Sequence, residues 1–408
     1  MLAGALSHIR VLDLSRVLAG PWCSQNLADL GAEVIKIERP GVGDDTRSWG
    51  PPWMNNPSDQ SQGDSSYFYS ANRGKKSVTL DISTPQGKKV IEELAAICDV
   101  LIENYKVGDL KRYGLDYDSL KKINPKLIYC SITGYGQDGP DSHKPGYDYV
   151  FQATGGLMSV TGERDDLPGG GPQKVGVAVA DILTGMYSSV AILAALNYRD
   201  RTGEGQFIDM ALIDSAVALG SYQIVGYFAN GKIPKRAGNA LPSLVPYQVF
   251  NTSDDQIIVA VGNDGQWQKF CQAIKRPDLA ENERWKKVSG RVSGRDDLVP
   301  EISKTLLQAS TEEWLEHLEK VGVPCGKINN YEQVFKDAHV QHRQLKVDMP
   351  DEFGKVISTV ASPLRLQKTP VRYEKTPPRL GDSTHSVLTQ LLAYSEDEYQ
   401  ILLNQKII

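Results

Sequence analysis

Between residues 9 and 133 apolar strand-like runs alternate with helix-like runs, and this pattern restricts the fold more than any single motif does. Residues 9–14 read as a strand, Gly20-Pro21 breaks it, a helix runs to Leu30-Gly31, and Ala32–Ile37 forms a second strand. Proline at a helix start and glycine just past its end give this unit its polarity. The pattern repeats as strand Ser77–Asp81, helix Pro85–Cys98, strand Val100–Asn104, a short helix near Leu115–Lys122 and strand Leu127–Thr133. Strands separated by helices must run parallel, with helices covering both faces. The spacing therefore predicts an α/β chain with a Rossmann-like parallel sheet.

Later segments carry other textures. Residues 155–175 are rich in glycine and proline, including Gly169-Gly-Gly171, and a polar loop lies between Asn55 and Ser66. A strand Gln206–Leu212 and a long helix Asp214–Ala229 follow. Tyr247–Phe250 and Gln256–Val261 flank Ser253-Asp-Asp255 and predict an antiparallel hairpin. Helices follow, including Glu312–Lys320; strands return at 350–367 and an amphipathic helix ends the chain. We divide the chain into a large domain, residues 1–229 and 331–408, and a smaller α+β domain, residues 230–330.

Composition narrows the function. A net charge of −5 over 408 residues has the wrong sign for a nucleic-acid binder. Five cysteines without a CxxC pair suit free thiols in a reducing compartment and offer no zinc site. His339 and His342 read as a solvated pair, and no metal is expected. No apolar run is read as long enough for a membrane span, and the first residues do not resemble a secretory signal, so a cytoplasmic location is expected.

Two familiar chemistries fail. The turn after the first strand reads Arg16-Val-Leu-Ala-Gly20-Pro21, one glycine where a dinucleotide fingerprint needs three. There is no Gly-x-Ser-x-Gly elbow. What remains is Asp181, in Val175-Gly-Val-Ala-Val-Ala-Asp181-Ile-Leu-Thr-Gly-Met-Tyr187, between a strand-like run and a helical run. An acid in apolar surroundings at a helix start is either a cap or a working group, and capping is the commoner fate. Around it, Arg39 and Lys106 end strands, and Arg73, Lys75, Lys76, Lys111 and Arg112 lie near others. Several cations converging on one rim would suit a polyphosphate.

With these residues in view, the chain resembles the family III CoA-transferases, the group of the formyl-CoA:oxalate and carnitine CoA-transferases. The resemblance rests on Val11-Leu-Asp-Leu-Ser-Arg16 with Ala19-Gly-Pro21, Leu30–Pro40, Asn72-Arg-Gly-Lys-Lys-Ser77 and Glu103-Asn-Tyr105. It continues through Gly134–Pro140, Gly146-Tyr-Asp148 and Ala180-Asp181 with Thr184-Gly185. Gly43–Arg47 with Trp49-Gly-Pro-Pro52, and Gly322-Val-Pro324 with Ile328-Asn-Asn330, resemble the members that exchange CoA between succinate and glutarate.

The resemblance implies that Asp181 is a nucleophile forming a mixed anhydride with the acyl group of an acyl-CoA substrate. It implies CoA contacts at Arg16, Val17, Leu18, Ala19, Arg39, Ala71, Asn72, Arg73, Lys75, Asn104, Lys106 and Arg112. Tyr147 and Asp148 match positions close to the thioester. It also implies a homodimer of two interlocked ring-shaped protomers, with an acyl-CoA donor and a carboxylic acid acceptor as partners. Leu18 and the run Gly238–Leu244 depart from the oxalate enzyme and point to a larger acyl group. Arg47 and Arg236 are the candidates for a distal substrate carboxylate, and Gly169–Gly171 for a cover. The competing readings are an acyl-CoA racemase of the same superfamily and a catalytically silent CoA-binding protein.

Overall fold

The computed structural model describes residues 4–54, 63–351 and 354–408, so most of the polar loop read at Asn55–Ser66 lies outside the described residues. The chain folds into two compact units: residues 1–157, 175–224 and 339–408 form the first, and residues 158–174 and 225–338 the second.

Among the described residues of the first unit, six strands form a parallel sheet. They are β1 (Arg10–Asp13), β2 (Glu33–Glu38), β3 (Lys75–Thr79), β4 (Val100–Glu103), β5 (Ile128–Thr133) and β6 (Phe207–Ala211). Their order is β3-β2-β1-β4-β5-β6, so the winding reverses between β1 and β4. Ligands of such sheets bind outside the carboxyl ends of the strands at that reversal.

Side-chain alternation builds the core. Leu12, Ile35, Leu101 and Tyr129 enter one apolar layer with Val90, Ile91 and Leu94 of α3 (Pro85–Ile97) and Leu402 of the helix Glu396–Asn404. Their neighbours Val11, Val34, Val100 and Ile128 enter the opposite layer with Cys23 and Leu27 of α1 (Ala19–Asp29) and Ile192 of the helix Val179–Thr202. Successive residues of a strand point to opposite faces, so a strand covered on both sides must be apolar throughout. Truncating a fully buried leucine such as Leu12 would cost about 2–5 kcal/mol.

Other helices here include α2 (Ser66–Ser70), α4 (Asp109–Arg112), α5 (Tyr117–Leu120), α6 (Asp148–Thr154) and α7 (Leu157–Val160), the last at the boundary of the units. The helix Val179–Thr202 is α8, followed by α9 (Leu212–Leu219) and α10 (Ser221–Asn230). Gly185 lets α1 and α8 approach, since a Cβ there would stand 2.6 Å from the Ala19 carbonyl oxygen. By length and composition α8 would pass as a membrane span, where the sequence was read as holding no apolar run long enough. Half of it is buried within the unit.

Three other local expectations change. The expected helix Asp214–Ala229 is two, α9 and α10, divided at Gly220 and at Ser221, whose φ is +40°. The helix near Leu115–Lys122 shortens to α5, with α4 ahead of it. The apolar run before Asp181 forms no strand, because Val175 N–H and the Val177 carbonyl bond the Gln152 amide instead of a neighbouring strand.

In the second unit β7 (Tyr247–Asn251), β8 (Gln256–Ala260) and β9 (Cys325–Lys327) form an antiparallel sheet. Helices including Asp264–Ala273, Arg295–Leu306 and Thr311–Lys320 pack on it around Trp267, Phe270 and Trp314. Residues 158–174, with Gly169–Gly171, belong to this unit.

Candidate active site

The loop after β1 lies at the sheet's reversal point. Val17 has φ +72°, a conformation that costs a β-branched residue roughly 1–3 kcal/mol. Buried charges hold it. Its N–H donates to both carboxylate oxygens of Asp44 at 3.2 Å, and Lys36 Nζ reaches the Ser15 carbonyl at 2.7 Å and Asp44 Oδ2 at 2.9 Å. From the loop after β4, Asn104 accepts from Arg16 N–H at 2.9 Å and donates to the Arg16 carbonyl at 2.7 Å. Leu18 and Ala19 are buried where α1 begins, and no side chain caps that helix. Uncapped N–H groups at a helix start suit an anion.

Arg16 and Arg39 reach the same carboxylate. Arg16 binds Asp45 Oδ2 and Arg39 binds Asp45 Oδ1, each at 2.8 Å, and both guanidiniums are about half exposed. Farther along the rim, exposed Lys106 lines a cavity of about 440 Å³ with Glu103, Tyr105, Lys111 and Gln137. Burial pushes the Glu103 carboxyl up to about 7, against its hydrogen bonds with Ser131 and the Tyr105 N–H. Arg112 is exposed and pairs with Asp109 at 2.6 Å.

The segment before β3 is arranged differently. Arg73 is buried in a two-point pair with Asp29 at 2.8 and 2.5 Å and donates to the Val360 carbonyl at 3.1 Å. Lys75 has no exposed side-chain surface; it reaches Asp13 at 3.2 Å, the Pro21 carbonyl at 3.0 Å and Asn72 Oδ1 at 2.8 Å. Burial lowers the Lys75 ammonium to about 8 despite Asp13. Ala71 and Asn72 are buried, and the Asn72 amide donates to the Phe68 carbonyl. Register places Lys75 opposite Val34, toward the amino ends of β2 and β3. The fold therefore gathers Arg16, Val17, Leu18, Ala19, Arg39, Asn104 and Lys106 at the carboxyl rim, while Arg73 and Lys75 are occupied by internal partners.

Asp181 is the third residue of α8, not its cap. Capping falls to another carboxylate: Asp148 Oδ1 accepts from Ala180 N–H at 2.7 Å and from Asp181 N–H at 3.2 Å. The Asp181 side chain is 7% exposed, and among the described residues neither a cation nor a hydrogen-bond donor engages its carboxylate. Burial, then the charge of Asp148, raises it to about 7. A carboxylate kept from water and from partners is a strong nucleophile when ionised.

Aromatic residues border these acids. Burial, then Asp181 and Asp148, pushes the Tyr67 phenol up to about 12. Trp49 packs edge-on against Tyr67 at 5.3 Å between centroids and against Tyr147, which is 65% exposed, at 6.3 Å. The sequence reading assigned no role to Trp49, Tyr67, Asp44 or Asp45. Trp49 stood in a noted motif; Tyr67 has no local signal, because only folding brings α2 toward α6 and α8.

The arginine candidates for a distal carboxylate also have internal partners. Arg47 is buried, bonds Glu38 at 2.8 and 2.7 Å and Asp64 at 2.7 Å, and lies over the Phe68 ring. Arg47, named as a candidate for a distal substrate carboxylate, thus has its guanidinium engaged by Glu38 and Asp64. In the second unit Arg236 pairs with Asp165 and donates to the Ser159 carbonyl at 3.1 Å.

A doubly wound sheet with cations at its carboxyl rim and a buried carboxylate unpaired among the described residues suits an enzyme with an anionic ligand. The chain belongs to CoA-transferase family III, whose family model matches residues 6–384, and it is a CoA-transferase. It is 47% identical to succinate–glutarate CoA-transferase of Agrobacterium fabrum over 95% of each chain. It is 43% identical to succinyl-CoA:glutarate CoA-transferase of Mus musculus, over 99% of this chain and 90% of the mouse protein. Succinyl-CoA:mesaconate CoA-transferase of Haloarcula hispanica is 39% identical, over 95% and 96%. A crystal structure of a CaiB/BaiF family protein from Brucella suis superposes with a TM-score of 0.84 at 42% identity, covering 96% of this chain and all of that one.

Proposed function

We propose that the enzyme moves CoA between dicarboxylic acids, with succinyl-CoA as donor and glutarate as an acceptor, through an anhydride on Asp181. The observation that carries this reading is the buried Asp181 carboxylate, which no cation or hydrogen-bond donor engages among the described residues. The relatives named above, acting on succinate, glutarate and mesaconate, support the substrate class.

In this mechanism an Asp181 oxygen attacks the donor thioester carbonyl. The C–S bond breaks, leaving a mixed anhydride and the CoA thiolate. The thiolate attacks the Asp181 carbonyl and expels the first acid, giving an enzyme–CoA thioester. The acceptor carboxylate attacks that thioester, and the returning thiolate takes the new acyl group and releases Asp181. Thioester energy is conserved in the anhydride, so neither ATP nor metal is required, but water must be excluded.

The CoA diphosphate lies against the α1 N-terminus between Arg16 and Arg39, in place of the Asp45 contacts. Its nucleotide extends toward Lys106 and the adjoining cavity. The Trp49–Tyr67–Tyr147 aromatics border the pantetheine end. The enzyme works in the cytoplasm as a homodimer; the solvent-exposed stripe of Tyr187, Val190, Leu193 and Tyr198 on α8 supports a partner subunit.

Hydroxylamine trapping with succinyl-CoA, followed by peptide mass analysis, tests the reading. A hydroxamate on Asp181 is expected. Rapid exchange without labelling there would reject it, and α-proton exchange without an acceptor would favour a racemase.

A further inference from the structure

One turn beyond Asp148 on α6 stands Gln152, with no exposed surface. Its Nε2 donates to Asp148 Oδ2 at 2.6 Å and to the Val177 carbonyl at 3.3 Å, while Oε1 accepts from Val175 N–H at 2.8 Å. One orientation of the amide satisfies these contacts; the reverse would set oxygen against oxygen and N–H against N–H. The other Asp148 oxygen takes the N–H groups of Ala180 and Asp181. A continuous hydrogen-bonded path therefore runs from the chain entering α8, through Gln152 and Asp148, to the backbone of Asp181.

We propose that Gln152 is a positioning residue for the transfer reaction: it holds the Asp148 carboxylate in the rotamer that sets Asp181 against the thioester. This rests on the reading of Asp181 as nucleophile. An attacking group displaced by a fraction of an ångström loses much of its advantage, so a buried amide that touches no substrate governs turnover. Removing it would leave Asp148 Oδ2 unpaired and release Val175 and Val177, both within six residues of Asp181.

The test uses the purified full-length enzyme with succinyl-CoA and glutarate. Gln152→Leu should lower kcat about 10–100-fold and leave KM for succinyl-CoA within about threefold. Gln152→Glu supplies the readout a merely structural role would not move. The new carboxyl lies against Asp148 on its own helix; Asp181 is on α8, which packs against α6, and Tyr67 of α2 is within electrostatic reach of both acids; on α9, also packed against α6, Asp214 is solvent-exposed. At low pH a proton shared with Asp148 restores the donor, and at high pH the two carboxylates repel. The ratio of mutant to wild-type kcat should therefore rise at least fivefold from pH 8 to pH 6, measured where both proteins are folded.

Wild-type kcat in the leucine variant overturns the proposal, as does a pH-independent ratio in the glutamate variant. If the leucine variant does not fold, the glutamate ratio decides alone. Asp181→Asn is run in parallel. Retained exchange there rejects the nucleophile reading itself, whereas loss of exchange there with normal Gln152 variants rejects only the positioning role.

Discussion

Asp148 Oδ1 accepts the backbone N–H of Asp181 at 3.2 Å, so the helix end that an aspartate at its first turn would ordinarily cap is occupied by a different aspartate. The arrangement keeps the Asp181 side chain out of the hydrogen bonding that would blunt it. It also sets two acids close together, which together with burial lifts Asp181 to about 7.

Turnover should follow that titration. In the proposed mechanism Asp181 must be ionised to attack, so kcat should climb with pH through an apparent pKa near 7 and level off above it. A pH–rate profile with a saturating acceptor measures this; activity undiminished at pH 5 would count against it.

The same shift predicts a stability effect. The folded chain holds the Asp181 proton more tightly than the unfolded chain, whose pKa is near 3.8. Below about pH 4 the group is protonated in both states, and its cost grows as pH rises to about 7 and stays full beyond. At about 1.4 kcal/mol per pKa unit, Asp181→Asn should be more stable than wild type at pH 8 by a few kcal/mol. That advantage should fade toward pH 4 in denaturant titrations.

Asp148→Asn removes the like charge but keeps a carbonyl to cap α8. The ascending limb of the pH–rate profile should move to lower pH. Its midpoint should stay above 3.8, because burial is the larger cause of the shift.

In the proposed CoA placement, Asp45, which pairs with Arg16 and Arg39, competes with the incoming phosphate for them. Asp45→Asn should lower KM for succinyl-CoA roughly two- to fivefold, an effect that salt screens because these side chains are exposed. Initial rates at two ionic strengths check it, and a raised KM would show that Asp45 organises the arginines.

Arg73 and Asp29 form a nearly buried pair, so Arg73→Met strands a carboxylate. It should destabilise the enzyme by about 3–5 kcal/mol. In the proposed placement CoA is contacted elsewhere, so KM for succinyl-CoA should change less than twofold below the unfolding transition. A tenfold rise in KM would assign Arg73 to the ligand.

The sheet was legible because burial on both faces makes inner strands such as β4 and β5 largely apolar runs, and glycine or proline marks several of the turns. Val11-Leu12 and Val100-Leu101 announce their strands whatever their partners. The family likeness, carried by short motifs, pointed to Asp181 and, without distinction, to Arg16, Arg39, Arg73 and Lys75. Cations near strands looked alike in the sequence, however. Arg73 and Lys75 differ from Arg16 and Arg39 only because Asp29 and Asp13, 44 and 62 residues away, come to lie against them. Local pattern thus determined the alternation of strands and helices, and with it the parallel sheet and the carboxyl ends of its strands. Which charges remain available at that rim, and which acid caps α8 so that Asp181 stays unpaired, depends on side chains brought together across the sheet. Tertiary packing alone decides that, because desolvation and pairing are set by neighbours in space.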